Sequence, residues 1–223
     1  MTGTAMNNMH ISIRRAVSGA LSGKTIGRIF FNEEVRESSA HLSGKVLDIA
    51  CGRSPSYARL LPEGIDLVRT DRTASPGVTA VDMNKPLPFA DASFDAVLLF
   101  NALYAAENPE SLAREVHRVL KPGGSWFISS PFVANEMPEP HDYVRYTAEG
   151  LERLCKNAGF PSIAIQRMGE RATAATQLLH PFFLFNIVRM FVYPLALIAD
   201  RLIPRSVREA HPSPIGYFVR ATK

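Results

Sequence analysis

The sequence predicts a doubly wound α/β fold built on a mostly parallel sheet of seven strands. Two observations carry this prediction. Short apolar segments alternate with helical patterns along most of the chain, which favours a sheet with helices on both faces. Polar residues also stand directly after several of the predicted strands, where such sheets bind their ligands. The length of 223 residues suits one such domain with modest additions.

The predicted strands are short apolar runs bounded by turn residues. The clearest has the sequence Phe-Asp-Ala-Val-Leu-Leu-Phe, and the first follows the turn Ser43-Gly44. In chain order the seven strands are expected at residues 45–50, 65–70, 78–81, 94–100, 125–130, 163–167 and 215–221.

The predicted helices fill the gaps between these strands. Residues 109–120 have apolar side chains at helical spacing, and Lys121-Pro-Gly-Gly124 is expected to end that helix by C-cap chemistry. Thr147 is expected to cap a helix that reaches Ala158. Shorter or less regular helices are expected at residues 25–40, near the entrance to the site, and at 57–61.

The sequence predicts a helical lead-in over residues 1–40 and a main domain over residues 41–223. Within the main domain, residues 170–214 are expected to form an apolar helical insertion before the last strand. Residues 1–165 carry 17 basic and 18 acidic side chains, so the main domain shows no basic surplus for nucleic acid. Cys51 and Cys155 are too few for a disulfide framework or a zinc site, so we expect no metal and a cytoplasmic protein.

The polar residues at the predicted strand ends suggest a nucleoside site. Small residues at Ala50 and Gly52 allow close approach of the backbone to a ligand. Asp71 follows Gly52 by 19 residues, at the end of the second strand, where a carboxylate can accept hydrogen bonds from ribose hydroxyls. Asp82 and Asn101 follow the next two strands. We therefore expect Asp71, Asp82, Asn101 and the loop with Ala50 and Gly52 at one edge of the sheet.

A dinucleotide site is the alternative that this spacing leaves open. The pattern G-x-G-x-x-G would place glycines at positions 50, 52 and 55, whereas this chain has Ala50, Gly52 and Pro55. Pro55 has no N–H to offer a pyrophosphate, which disfavours a nucleotide-dependent oxidoreductase.

Two longer segments resemble the class I S-adenosylmethionine-dependent methyltransferases, specifically their type 11 group. Residues 82–97, Asp-Met-Asn-Lys-Pro-Leu-Pro-Phe-Ala-Asp-Ala-Ser-Phe-Asp-Ala-Val, resemble the family's segment after the cofactor loop. Residues 120–126, Leu-Lys-Pro-Gly-Gly-Ser-Trp, resemble its turn before the fifth strand. The resemblance covers about residues 40–165, with further similarity at Tyr217-Phe-Val, and implies the Rossmann-like methyltransferase fold.

The resemblance also implies roles for matching positions. Asp48, Ala50 and Gly52 would form the loop on the methionine side of the cofactor, and Asn101 would lie beneath it. Asp71 would bind the ribose, with Arg72 beside it. Asp82 would hydrogen-bond the adenine amino group, and Met83 would pack on the ring. The cofactor-binding residues predicted in this way are Asp48, Ala50, Gly52, Asp71, Arg72, Asp82, Met83 and Asn101.

Residues 141–146, His-Asp-Tyr-Val-Arg-Tyr, are the predicted acceptor side of the site. They follow a proline-rich loop and resemble the family segment that closes over the acceptor. His141 is the candidate general base, because imidazole titrates near neutrality. Tyr143 and Tyr146 would position the acceptor or face the sulfonium. A structural His-Asp turn with tyrosines packed on the core explains the same residues.

Residues 181–208 are the most apolar part of the chain. Arg189 and Pro194 interrupt them, and burying that arginine in a bilayer would cost about 2.5–3.5 kcal/mol, which argues against a spanning helix. Arginines follow at 201, 205 and 208, as contact with an anionic surface requires. We expect these residues to contact a membrane surface or a second copy in a homodimer; a lid packed on the domain is the alternative.

The sequence therefore predicts an enzyme that transfers a methyl group from S-adenosylmethionine to a small or lipid-like acceptor, with no nucleic-acid partner. Two other functions stay open at this point: a non-catalytic module that binds S-adenosylmethionine, and the nucleotide-dependent oxidoreductase that Pro55 disfavours.

Overall fold

The computed structural model describes residues 5–8 and 11–223, and it contains one mixed sheet with helices on both faces. The strands are β1 (Ala5–Asn8), β2 (Lys45–Ile49), β3 (Asp66–Asp71), β4 (Thr79–Ala80), β5 (Phe94–Phe100), β6 (Leu120–Pro131), β7 (Ser162–Met168) and β8 (Gly216–Thr222). The helices are α1 (Ile13–Leu21), α2 (Ile26–Ser39), α3 (Pro109–Val119), α4 (Ala148–Asn157), α5 (Arg171–Leu178), α6 (Asn186–Leu202) and α7 (Arg205–Ala210).

The strand order is β1-β7-β8-β6-β5-β2-β3-β4, and only β8 runs antiparallel to its neighbours. The chain winds outward from β2 through β3 to β4, and then returns to β5 on the other side of β2. The topological switch point therefore lies between β2 and β5, where doubly wound sheets bind ligands beyond the carboxyl ends of their strands.

The predicted doubly wound, mostly parallel fold is confirmed, with one strand more than the seven expected. The extra strand is β1, which pairs in parallel with β7 inside the segment predicted to be a helical lead-in. Four residues with the sequence Ala-Met-Asn-Asn carry no apolar alternation that would indicate a strand. Helices α1 and α2 follow β1.

Three local predictions need correction. Helix α3 ends at Val119 because Leu120 is already extended and begins β6, so the expected C-cap at residues 121–124 is wrong. The expected helix at 57–61 is a single 3-10 turn, Ala58–Leu60. The expected strand at 78–81 shortens to the two residues of β4.

The two faces of the sheet bury two separate cores, because side chains alternate along each strand. Leu47, Leu99 and Trp126 pack under α3 and α4 on one face. Leu98 and Phe127 pack on the other face, under α1, α2 and α6. Helix α6 contacts α1 and α5, and it buries Tyr193 completely, so the segment between β7 and β8 rests on this second face.

Glu34 in α2 gives this second face a pH-dependent stability. Burial, reinforced by Glu37, raises its pKa to about 8. Between about pH 4.5 and pH 8, Glu34 is therefore protonated in the folded protein, whereas in the unfolded chain it has lost its proton. The free energy of unfolding is expected to fall between those pH values, by at most about 1.4 kcal/mol per pH unit.

Glu34→Gln is expected to remove this contribution and to flatten the pH dependence over that range. Urea denaturation of both proteins at about pH 5 and about pH 9 measures the difference. Glu63→Gln, which removes an exposed carboxylate outside α2, is the control. Parallel pH profiles for wild type and Glu34→Gln would show that Glu34 ionises normally in the folded state.

Candidate active site

One cavity of about 360 Å³ lies at the switch point of the sheet. Its wall includes Ala50, Asp71 and Asn101, which stand at or just beyond the ends of β2, β3 and β5. The parallel strands present their carboxyl ends at the same edge, so the chain brings together groups that are up to 51 positions apart.

Seven of the eleven predicted site residues line this cavity. They are Ala50, Asp71, Arg72, Asp82, Met83, Asn101 and His141. The cofactor side and the acceptor side of the predicted site therefore meet in one space, although the separate roles given to these residues remain predictions.

The other four predicted residues are not among the described residues that line the cavity. The Asp48 side chain is completely buried, and Gly52 is linked to the cavity through Asp71. Tyr143 is mostly exposed, and Tyr146 is half-buried against the core beneath α4. The roles predicted for these four residues stay predictions.

The loop after β2 is fixed by Asp71. The backbone N–H of Gly52 donates to Asp71 Oδ2 at 2.7 Å, and the N–H of Cys51 donates to the Thr70 carbonyl at 3.0 Å. Gly52 has a φ of +74°, a conformation that residues with a Cβ rarely adopt. Asp71 therefore orders the loop with one oxygen, while Oδ1 has only a 3.5 Å contact with the N–H of Thr73 and can accept from a ligand.

Two residues of the cavity wall have strained backbones. Ala50 and Asn101 both have positive φ, at 54° and 52°, although neither is a glycine. The N–H of Asn101 donates to the Ser129 carbonyl at 2.8 Å, and its Oδ1 accepts from the Ser129 hydroxyl at 3.0 Å. Such strain clusters at ligand sites, where the surrounding structure holds it in place.

Asp48 supports the site from beneath. Both of its carboxylate oxygens lie 2.9 Å from the Tyr57 hydroxyl. Burial raises the pKa of Asp48 to about 7, and the hydrogen bond from Tyr57 opposes that shift. A carboxylate that is paired in this way holds the end of β2 against the turn that carries Tyr57.

The far end of the cavity is ordered by a short polar network. Asp82 Oδ1 accepts from the N–H of Asn84 at 3.0 Å, and Asn84 Oδ1 accepts from the N–H of Glu107 at 2.9 Å. This network links the turn after β4 to the loop before α3, which the sequence places 23 residues apart.

Sequence reasoning missed several residues of the cavity wall, including Asn84, Tyr104 and Glu107. Asn84 lies within the segment that carries the family resemblance, and Tyr104 is three residues beyond Asn101. Asn84 and Tyr104 both lie close to the end of a predicted strand, and this position could have indicated that they line the cavity. Glu107 has no such signal, because a loop of irregular geometry brings it to the cavity.

The acceptor segment is held beside the cavity by Tyr104. The N–H of Tyr143 donates to the Tyr104 carbonyl at 2.9 Å, and the Arg145 guanidinium lies 5.4 Å from the centre of the Tyr104 ring. Asp142 pairs with Arg145, whose hydrogen bonds hold the Asp142 pKa below its usual range. The His141 ring stacks on Tyr143 with a centroid distance of 5.2 Å, and it stays exposed at the cavity mouth.

The size and the lining residues of the cavity fit an adenosyl cofactor without appeal to the family resemblance. Its volume lies within the range of about 300–1,000 Å³ that is typical of small-molecule sites. Asp71 and Asp82 offer carboxylate oxygens to hydroxyl and amino donors, and the apolar side chains of Val81 and Met83 offer contacts to a flat ring. The described wall offers one cation, Arg72, and no glycine-rich cradle for a pyrophosphate.

Residues 47–128 match the family model of the type 11 methyltransferase domain. The solved structures that resemble this chain include an S-adenosylmethionine-dependent methyltransferase of Archaeoglobus fulgidus, with a TM-score of 0.57 and 16% identity over 86% of this chain and 94% of that one. Another is phosphoethanolamine N-methyltransferase 2 of Haemonchus contortus in complex with S-adenosylmethionine, with a TM-score of 0.56 and 16% identity over 86% of this chain and 52% of that one.

The family model matches less than half of the chain, and the solved structures share its fold, so both findings agree with the type 11 group of class I S-adenosylmethionine-dependent methyltransferases. These findings support the family and the S-adenosylmethionine cofactor that the sequence predicts.

Similar sequences include two C-methyltransferases. The sterol 4-C-methyltransferase strm-1 of Caenorhabditis elegans is 28% identical over 59% of this chain and 40% of its own length. The ubiquinone/menaquinone biosynthesis C-methyltransferase UbiE of Desulfotalea psychrophila is 38% identical over 37% of this chain and 39% of its own length. The chain thus spans about two fifths of the length of these relatives.

Proposed function

We propose that this chain transfers a methyl group from S-adenosylmethionine to a small, lipid-like acceptor. The observation that carries the proposal is the single cavity at the switch point, which joins Asp71 and Asp82 to His141. When bound there, the cofactor supplies an activated methyl group and its own leaving group. Asp71 and Asp82 would hold its hydroxyl and amino donors, and Asn101 would shape the floor.

The acceptor is proposed to be apolar on two grounds. Relatives of this chain are named as a sterol methyltransferase and as a methyltransferase of ubiquinone and menaquinone biosynthesis. The chain also exposes an unusually apolar surface on α6. A transfer assay tests the activity: the purified chain is incubated with methyl-tritiated S-adenosylmethionine and an organic-solvent extract of cells. Label is expected in the apolar fraction.

His141 is proposed as the general base when the acceptor carries a proton that must leave. His141→Ala is expected to lower the turnover of label in this assay by about 10²–10⁴-fold, with little change in cofactor affinity. His41→Ala, at an exposed position after α2, is the matched control. Undiminished turnover by His141→Ala would assign this histidine to structure, and cofactor binding with no transfer to any acceptor would favour the non-catalytic module.

The exposed face of α6 is proposed to lie on an anionic membrane surface. Ile187, Phe191, Leu195, Ile198 and Leu202 recur at helical spacing and are between 40% and 78% exposed. A helix this apolar on its solvent side is expected to meet another apolar phase. Within the residues that the structure describes, no helix is both long and apolar enough to cross a bilayer.

Charge favours lipid over a second copy as the partner of this face. Arg201 and Arg205 are exposed where α6 ends and α7 begins. The single carboxylate between residues 178 and 208 is Asp200, which is buried against Thr173. Arg205 pairs with Glu209, which leaves Arg201 as the exposed arginine of this patch without a carboxylate partner among the described residues. Two copies that meet through the patch would place one Arg201 near the other, whereas anionic headgroups would neutralise it.

Vesicle flotation tests this contact. The wild type is expected to float with phosphatidylcholine vesicles that contain phosphatidylserine, and less with phosphatidylcholine alone. Phe191→Asp combined with Leu195→Asp is expected to abolish flotation, whereas Arg59→Asp adds an acidic group at an exposed site elsewhere and is expected to leave it intact. A wild type that stays unbound and monomeric without detergent would contradict the proposal, and so would a dimer that the double variant dissolves.

A further inference from the structure

A second cavity, of about 230 Å³, lies next to the first. Asn101 lines both cavities, so the two cavities meet at this residue. The second cavity is formed between the first turn of α2, the loop after β6 and the start of β8. Phe31, Met137, Met168 and Ile215 give it a largely apolar lining.

Two of the polar groups in this wall already have partners. Gln177 Oε1 accepts from the N–H of Gly27 at 2.9 Å, and the Thr25 hydroxyl accepts from the N–H of Arg28 at 3.1 Å. The Gln177 contact joins α5 to α2 across the cavity and fixes the width between them.

The Arg28 guanidinium is different. It lies 5.3 Å from the centre of the Phe31 ring, and no carboxylate pairs with it in the part of the chain that the structure describes. The Arg28 side chain is exposed at the edge of the cavity, and partial desolvation of its guanidinium lowers the pKa of that group. Its N–H donors are therefore free to meet an anion, and guanidinium groups bind carboxylate and phenolate oxygens with charge-assisted hydrogen bonds.

We propose that the second cavity binds the body of the methyl acceptor, whose reacting atom reaches past Asn101 towards the cofactor and His141 in the first cavity, and that this acceptor is an apolar molecule with one acidic oxygen group, a carboxylate or a phenolate, paired with Arg28. This inference rests on the proposed methyl transfer, because Asn101 makes the cavity a neighbour of the proposed cofactor site. Arg28 acts as a binding residue that orients the acceptor, while the apolar wall contacts its body.

The size and surroundings of the cavity limit what it holds. Its volume is below the range of about 300–1,000 Å³ for sites that enclose drug-sized ligands. A single ring or the head of a longer molecule therefore fits, and a longer tail must leave the cavity. Leu178 and Leu179 follow Gln177 directly and are 40% and 49% exposed. They therefore offer such a tail an apolar surface outside the cavity.

Three ten-carbon probes test the charge preference without knowledge of the acceptor: decanoate, decanol and decyltrimethylammonium. Each is titrated by calorimetry into the full chain, below its micelle concentration and with S-adenosylhomocysteine present. Decanoate is expected to bind at least about tenfold more tightly than decanol, and decyltrimethylammonium least tightly.

Variants locate the binding. Arg28→Met keeps the apolar stem and is expected to erase the difference between decanoate and decanol, while Arg28→Lys keeps part of it. Ala134→Phe fills the cavity and is expected to remove both ligands. Arg36→Met, which breaks a surface pair with Glu33 on the same helix, is the control expected to change nothing.

Equal affinity for decanoate and decanol in the wild type would overturn the inference, as would a preference for decanoate that survives Arg28→Met. A separate titration of S-adenosylhomocysteine into the same protein, without probe, measures its binding. Normal binding of S-adenosylhomocysteine with no preference for decanoate refutes only the acceptor site, whereas loss of that binding in the wild type refutes the proposed function itself.

Discussion

Asp71→Ala is expected to weaken S-adenosylmethionine binding by about 10- to 100-fold or more. A carboxylate that accepts hydrogen bonds from a bound ligand contributes about 1.5–3 kcal/mol per bond, and each 1.4 kcal/mol is a factor of ten in affinity. The substitution also removes the acceptor of the Gly52 N–H, so the loop after β2 loses its 2.7 Å anchor. Calorimetric titration with S-adenosylmethionine measures the change.

Asp66→Ala is the matched control for this experiment. Asp66 is exposed at the amino end of the same strand, away from the cavity, and its removal is expected to leave the affinity unchanged. Asp71→Asn separates the two roles of the carboxylate, because its amide oxygen can still anchor the loop without the negative charge. A folded Asp71→Ala protein with wild-type affinity would contradict the placement of the cofactor beside Asp71.

Asp200→Ala is expected to give the largest loss of stability. Asp200 is buried in α6, and it accepts from the N–H groups of Ala172 and Thr173 in the first turn of α5 at 2.6 and 3.1 Å. The Thr173 hydroxyl lies 2.6 Å from the same carboxylate. These N–H groups have no partner inside their own helix, so Asp200 caps α5 from another element.

Removing this carboxylate leaves the N–H of Ala172 without its acceptor, while Thr173 keeps its hydrogen bonds to Glu170. At about 1–3 kcal/mol for each hydrogen bond lost to a charged group, we expect the free energy of unfolding to fall by about 2–4 kcal/mol. Urea denaturation measures it, and Asp200→Asn is expected to lose less because it keeps one acceptor. Glu209→Ala, which breaks an exposed pair with Arg205, should cost no more than about 1 kcal/mol. If Asp200→Ala also lowered the free energy of unfolding by no more than about 1 kcal/mol, the contact of α6 with α5 through Asp200 would be contradicted.

The sequence predicted most of the sheet because its strands are local signals. Phe94–Phe100 and Lys45–Ile49 are apolar runs that end at polar residues, and this pattern also located Asp71 and Asn101 at the site. Strand β1 was missed because its partner β7 lies more than 150 positions away and its own four residues are too few to show alternation.

The parts of the site that the sequence did not predict are those that depend on contacts between distant elements. Asp48 belongs to the predicted cofactor loop, yet its carboxylate turns towards Tyr57 and is buried there. Arg28 carries no motif, and its place beside Asn101 follows from the packing of α2 across the sheet. The family resemblance covers residues 40–165 and therefore does not include α2 and α5, whose residues line the second cavity.

The most direct test of the account is a crystal structure of the full chain with S-adenosylhomocysteine. The account predicts one molecule in the cavity at the ends of β2, β3 and β5, with its ribose hydroxyls within hydrogen-bond distance of Asp71 and its adenine amino group within that distance of Asp82. A ligand bound elsewhere on the chain, or bound in this cavity with neither carboxylate in contact, would contradict it.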